Sequence, residues 1–161
     1  MQQDEINELI NQFKRLILDN NTINIPKSNQ YEKLEAKSVS KFFYIDLNRK
    51  GNKIRRFTLQ LRSQERKDLP LLRFDLLGPP HENPPGDFPY AGHLIPCPHL
   101  HIAHEDYGDR IAYPLTDEIT RMNLTEAQLD DFVVILKTFL LRSNIEGIDN
   151  YNYAYQEDMG I

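Results

Sequence analysis

Between residues 43 and 115 the chain alternates apolar with polar side chains in five separate runs, and that period of two restricts each run to a half-buried strand. Phe43, Ile45 and Leu47 alternate with Tyr44, Asp46 and Asn48. After the turn Lys50-Gly51-Asn52, Phe57, Leu59 and Leu61 alternate with Arg56, Thr58, Gln60 and Arg62. Leu72, Phe74 and Leu76 alternate with Arg73 and Asp75; Leu100 and Ile102 with His99 and His101; Ile111, Tyr113 and Leu115 with Arg110 and Ala112. Consecutive strands tend to be neighbours, so the expected sheet is an antiparallel meander of about five strands. Two amphipathic segments flank it. Ile6, Leu9, Ile10, Phe13, Leu16 and Ile17 predict a helix over 3–19, and Leu129, Phe132, Val133, Leu136, Phe139 and Leu140 predict one over 125–142. Thr125 with Gln128 three residues on is a capping-box start. The expectation is one α+β domain over 1–161, with N-terminal and C-terminal helices packed on one sheet face. Tyr151, Tyr153 and Tyr155 alternate in the tail, as an edge strand or as surface packing.

Composition narrows the setting. No apolar run approaches the ~18 residues of a membrane span. The acidic start Met-Gln-Gln-Asp-Glu lacks a signal-peptide pattern, and the single Cys97 forms no internal disulfide, so a cytoplasmic protein is expected. The net charge of −5 does not favour general nucleic-acid binding, but the charge is segregated. Eight Lys and Arg residues and one acid, Glu65, lie between Arg49 and Lys67. From Phe74 to Asp109 there is no Lys or Arg. A basic patch on an acidic protein can bind phosphates locally, or it can be an ordinary solvated face.

The stretch Gly78–Pro98 holds seven prolines, and all five histidines fall between His81 and His104. Proline removes backbone donors, so this stretch is expected to be an ordered loop without central strands or helices, with Phe88, Leu94 and Ile95 tucked in. It is either a lid or a structural cover. Residues two apart on a strand share a face, so His99 and His101 project together. A meander sets Arg73 and Asp75 on one side of them and Arg110 on the other. His81, Asn83, Asp87 and His93 belong to the loop that closes over this face. His104 has the opposite parity and reads as a turn residue. Cys97, between two prolines, has no neighbour in sequence that promises a reactive thiol.

Three functions fit this polar face. Two imidazoles can serve as general acid and base, with Arg73 or Arg110 holding a phosphate, as metal-free RNA cleavage at the 2′-hydroxyl requires. His99 and His101 could instead be two metal ligands, with His81, His104, Asp87 or Cys97 as a third. The face could also be a binding surface without chemistry. In that case the partner is a host or defence protein held by the acidic loop residues Glu82, Asp87 and Glu105 and by the C-terminal surface. No cofactor is implied, and the partners expected are RNA or a protein. Phosphate-loop, Gly-x-Ser-x-Gly, CxxC and His-Glu-x-x-His motifs are all missing from the sequence.

The segment from Leu71 to Asp87, with Pro98-His99-Leu100-His101-Ile102 and Tyr107-Gly-Asp-Arg-Ile-Ala-Tyr-Pro-Leu115, resembles an uncharacterised family of short proteins. These occur in Gram-positive bacteria and often on their phages and other mobile elements. Its distinctive motifs are His-x-Asn-Pro-x-Gly, here His81 to Gly86, and Pro-His-x-His, here Pro98 to His101. The resemblance spans most of the chain and implies no activity. A looser resemblance, carried by paired histidines after a Pro-rich loop, is to small toxins of bacterial toxin–antitoxin pairs, and it implies a ribonuclease.

Overall fold

The computed structural model describes residues 1–50 and 56–156. In chain order the elements are α1 (Gln3–Asn11), β1 (Arg15–Ile17), β2 (Thr22–Ile25), β3 (Tyr31–Lys37), β4 (Phe42–Arg49), β5 (Phe57–Ser63) and β6 (Arg66–Asp75). There follow β7 (His81–Glu82), β8 (Leu94–Ile95), β9 (His99–Ile102), β10 (Ala112–Pro114), α2 (Phe132–Arg142) and β11 (Asn152–Tyr155). The architecture is α+β, built on an antiparallel sheet of seven strands ordered β1-β3-β4-β5-β6-β9-β10. The meander expected from alternation is its right-hand portion, β4 to β10. The Lys50-Gly51-Asn52 turn lies outside the described residues beyond Lys50.

The sheet exceeds the expected five strands because β1 and β3 join its edge. In β3, Tyr-Glu-Lys-Leu-Glu-Ala-Lys, only Leu34 and Ala36 are buried. Its apolar signal is therefore too weak to read beside five charged or polar neighbours. Leu34, Ala36, Phe43, Ile45, Leu47, Leu59, Leu61, Leu72, Phe74 and Leu100 line one face of the sheet. Ile6, Leu9 and Ile10 of α1 and Ile135, Leu136, Phe139 and Leu140 of α2 belong to the same core cluster. At about 25 cal/mol per Å² of apolar area removed from water, this burial is the main force holding helices to sheet.

Both helices are shorter than their periodicity predicts. The 3–19 helix stops at Asn11, and Phe13 and Ile17 of its apolar stripe stand 71% and 49% exposed. Leu16 is buried, but as a strand residue opposite Ala36. The reason lies in Lys14. Its backbone N–H donates to Asn144 O at 2.9 Å and its carbonyl accepts from Glu146 N at 2.8 Å. Its ammonium donates to Ile10 O, Gln12 O and Ser143 O at 2.9, 2.9 and 2.8 Å. Three donors meet three carbonyls, two of them at the end of α1, which is the favoured place for a cation. Near the C-terminus the Thr125–Gln128 capping box forms as expected, at 2.9 and 3.2 Å, but it starts only a 3₁₀ turn. The α-helix begins at Phe132, where Asp131 accepts from Val133 and Val134 N–H. Of the tail, Asn152–Tyr155 pairs in parallel with β2 in a separate two-stranded sheet.

Gly78–Pro98 departs from a plain loop. β7 and β8 pair in antiparallel fashion, His81 with Ile95 and Glu82 with Leu94. Ile95 is buried, whereas Leu94 is exposed, because two residues adjacent in a strand must face opposite ways. Among the described residues no helix is long and apolar enough to cross a membrane.

Candidate functional site

Strand β9 lies between β6 and β10, and its register decides what meets the histidines. Asp75 is opposite His99 and Arg73 is opposite His101. Since parity alternates, these four side chains emerge on the face away from the core. On that face His99 and His101 are only 2% and 1% exposed. The Pro-rich segment covers them.

Hydrogen bonding fixes the protons. His101 Nδ1 lies 2.8 Å from Asp109 O, and Nε2 lies 3.0 Å from Nη2 of Arg73. A carbonyl only accepts and a guanidinium only donates, so Nδ1 carries the hydrogen and Nε2 is the bare acceptor. His101 is therefore neutral. His99 Nδ1 lies 3.1 Å from Ile95 O, and Nε2 lies 3.0 Å from Oδ2 of Asp75. Both neighbours are acceptors, which calls for two ring hydrogens and makes His99 an imidazolium. The two rings meet edge to face with centroids 5.0 Å apart.

The same environment sets the titration of each group. Burial opposes the charge on His99, but Asp75 and the Cys97 sulfur outweigh it and hold its pKa up to about 9. Burial, followed by the positive charges of Arg73 and His99, pushes His101 below its ordinary value despite Asp75. Asp75 is held well below the usual carboxylate range. Burial opposes this, but the neighbouring His101 ring, the hydrogen bonds from His99 and Thr58 and the charge of Arg73 prevail. Thr58 Oγ1 donates to Asp75 Oδ1 at 2.9 Å, and Arg73 also donates to Asp109 Oδ2 at 3.2 Å.

The motif His81-Glu-Asn-Pro-Pro-Gly86 builds the roof. The ring of His81 sits edge-on to His101 with centroids 4.6 Å apart, and its Nε2 is 2.7 Å from Arg110 O. Asn83 is buried and acts as a peptide group turned sideways. It donates to Tyr90 O and Ala112 O at 3.1 and 2.9 Å and accepts from Ala112 N at 2.8 Å. The outer edge of β10 is thereby satisfied at Ala112, and the roof is tied to it. Gly86 packs where a Cβ would collide with the Tyr107 hydroxyl and stand 2.8 Å from the Phe88 ring.

Other sequence candidates lie apart from the pair. The Arg110 side chain turns back, donating to Tyr107 O at 3.0 Å and lying over the Tyr107 ring, so only its carbonyl takes part. Asp87 and His93 are exposed outside the cleft lining. His104 is in a turn, bridged to Gly108, as its parity implies. Cys97, discounted from its sequence neighbours, has its Sγ 3.7 and 3.9 Å from the two ring nitrogens of His99. The signal for it is plain in hindsight, since residue 97 shares the parity of residues 99 and 101.

A cleft of about 450 Å³ opens over this cluster. Besides Arg73, Asp75, His81, Cys97, His99 and His101, its walls include Lys50 and Arg56 from the basic stretch and Thr58, Gln60, Asn48, Asp46 and Tyr31 from β3, β4 and β5. Thr58, Gln60, Asn48 and Tyr31 are functional candidates that sequence reasoning missed. Extending the same parity rule across β5 and β4 would have reached the first three; Tyr31 lies on β3, one strand further, which alternation does not reveal. Ligand atoms of Asp75, His99 and His101 lie within 4.8 Å of one another, close enough to converge on one cation. In this arrangement the guanidinium of Arg73 serves that role, occupying the His101 lone pair and lying 3.5 Å from Asp75.

A family model described as a family of unknown function (DUF6978) matches residues 1–145, and the chain belongs to that family. No curated protein and no solved structure matches it.

Proposed function

We propose that this member of a family of unknown function is a toxin-like ribonuclease that cleaves RNA by general acid–base catalysis, with His101 as base and His99 as acid. The observation that carries the proposal is the asymmetric pair itself. One imidazole offers a bare nitrogen, and the other, 5.0 Å away, holds two hydrogens. An acid and a base with separated protonation states are what a concerted transfer near neutral pH needs.

In the reaction, Nε2 of His101 takes the proton of the ribose 2′-hydroxyl. The 2′-oxygen forms a bond to phosphorus and the bond from phosphorus to O5′ breaks. As the departing O5′ gains charge it takes over from Asp75 the Nε2 hydrogen of His99 and receives that proton. The products are a 2′,3′-cyclic phosphate and a 5′-hydroxyl, and no electron or group is left unaccounted for. Arg73 has two tasks. At rest its guanidinium covers the His101 lone pair, and an arriving phosphodiester, a stronger partner for a guanidinium, draws it away. That single movement frees the base and places positive charge on the phosphorane. Asp75 orients His99 and keeps it charged. His81 covers His101 and keeps water from the base.

Incubation with single-stranded RNA should yield ends bearing cyclic phosphate. His99→Asn and His101→Asn should each lower the rate by about 10²–10⁴-fold while leaving the circular dichroism spectrum unchanged. Cleavage should survive EDTA. Activity that is lost in EDTA and restored by a divalent metal, or cleavage of 2′-deoxy substrates, would overturn the mechanism.

A further inference from the structure

The cleft continues well past the histidines. It crosses the strands from β9 over β6, β5 and β4 to Tyr31 on β3, which is four inter-strand steps of about 4.8 Å, or about 19 Å in all. A single phosphate and its two flanking oxygens need only a fraction of that length. The far portion also differs in character from the histidine end. Asn48 and Gln60 bring neutral amides to the floor, and Lys50 and Arg56 bring positive charge to the wall. Asp46, the one acid there, is fully engaged. It accepts from Tyr31 at 2.5 Å, from Gln60 at 3.1 Å, and from Arg62 at 2.5 and 2.9 Å. It therefore presents no free negative charge to a ligand. The same hydrogen bond pins the Tyr31 ring, half exposed, at the end of the groove.

We propose that the groove binds about three nucleotides of single-stranded RNA laid across the strands. The base farthest from the histidines stacks on Tyr31, and Asn48 and Gln60 meet the edge of the base before it. Nucleotide rise is about 3.4 Å when stacked and up to about twice that when extended, so 19 Å suits that number. A duplex is excluded by depth. The buried histidines lie below the rim, and an A-form helix offers side chains only its shallow groove and its backbone, whereas a lone strand can splay its bases into a cleft. An aromatic platform beside a cationic track is the general equipment for holding such a strand. The identification of the strand as RNA rests on the ribonuclease reading; the length and strandedness of the ligand rest on the groove.

The test uses fluorescein-labelled 2′-O-methyl oligoribonucleotides of one to eight residues. These cannot be cleaved, so binding is read separately from chemistry by fluorescence anisotropy. Affinity should climb steeply to about three nucleotides and then level. It should exceed that for a hairpin duplex of the same composition by at least about tenfold. Tyr31→Ala should weaken binding by about tenfold, while Tyr31→Phe, which keeps the ring, should retain most of it. Lys50→Ala with Arg56→Ala should flatten the dependence of binding on salt. Melting temperatures of the variants separate lost contacts from lost fold. Binding that does not depend on length, equal affinity for duplex, or indifference to Tyr31→Ala in a folded variant would overturn the groove. Length-dependent binding without cleavage of unmodified RNA would support the groove and overturn the ribonuclease reading.

Discussion

If both ring nitrogens of His99 carry hydrogens in the folded protein, folding takes up a proton, and stability must fall as alkali removes it. In the unfolded chain His99 titrates near 6.5; in the folded chain it is held to about 9. Each unit of difference is worth 1.36 kcal/mol, so the linked stability is about 3 kcal/mol. The sign follows from the raised value. The contribution is complete below pH 6.5 and is lost as pH rises through about 9. Against a typical total of about 5–15 kcal/mol, this is a large share. Lys14 titrates in an overlapping window with the opposite sign. Burial lowers it to about 7, so its folded form binds fewer protons than the unfolded chain between there and 10.5. The measurement must therefore be a difference. Urea unfolding of wild type and of His99→Gln, at half-unit steps from pH 6 to 9.5, cancels Lys14 and every other group the variant leaves alone. The gap between the two proteins should shrink by about 3 kcal/mol across that range. A gap constant to within about 1 kcal/mol would refute the doubly protonated His99 and with it the assignment of the acid.

The rate of RNA cleavage should trace a plateau, rising through the pKa of His101, below its ordinary 6.5, and falling above about 9; a profile that rises steadily to pH 10 would contradict the assignment. Asn83→Ala removes three hydrogen bonds and strands both backbone groups of Ala112, so chemical denaturation should register a loss of about 3 kcal/mol. Gly86→Ala forces the roof against Tyr107 and Phe88 at a cost of about 1–3 kcal/mol, and adding Tyr107→Phe should restore part of it in the melting temperature.

The central fold is legible because a period of two needs no partner to be seen. Parity alone sets Arg73, Asp75, His99 and His101 on one face, and the observed register pairs them strand to strand. What escapes the sequence depends on remote partners. Lys14 looks like a helix residue until Asn144 and Glu146 take its backbone groups. Strand β3 has two buried apolar residues and becomes a strand only by joining Phe42–Arg49. Arg110 has the parity for the site, but the turn ending at Tyr107 captures its guanidinium. The depth at which the histidines are buried was illegible for a related reason. Alternation distinguishes the core face from the other face but cannot show how closely a Pro-rich segment packs over the latter, and that cover is held by remote contacts, Asn83 to Ala112 and His81 to Arg110 O.

The pairing of β11 with β2 bears on how the protein is made. Every strand of the seven-stranded sheet has been synthesised once the chain reaches Pro114, whereas α2 and β11 lie as much as about forty residues later. At about 5–20 residues per second, a growing chain spends several seconds with the histidine side complete and the core side only half covered. Phe57 awaits Phe132, whose ring stacks on it at 3.7 Å between centroids in the finished fold. The parallel contact of Asn152–Tyr155 with Thr22–Ile25 then joins segments about 130 positions apart, among the least local contacts in the molecule. A chain cut near residue 120 would thus carry its histidine face together with an apolar sheet face that α1 alone covers in part.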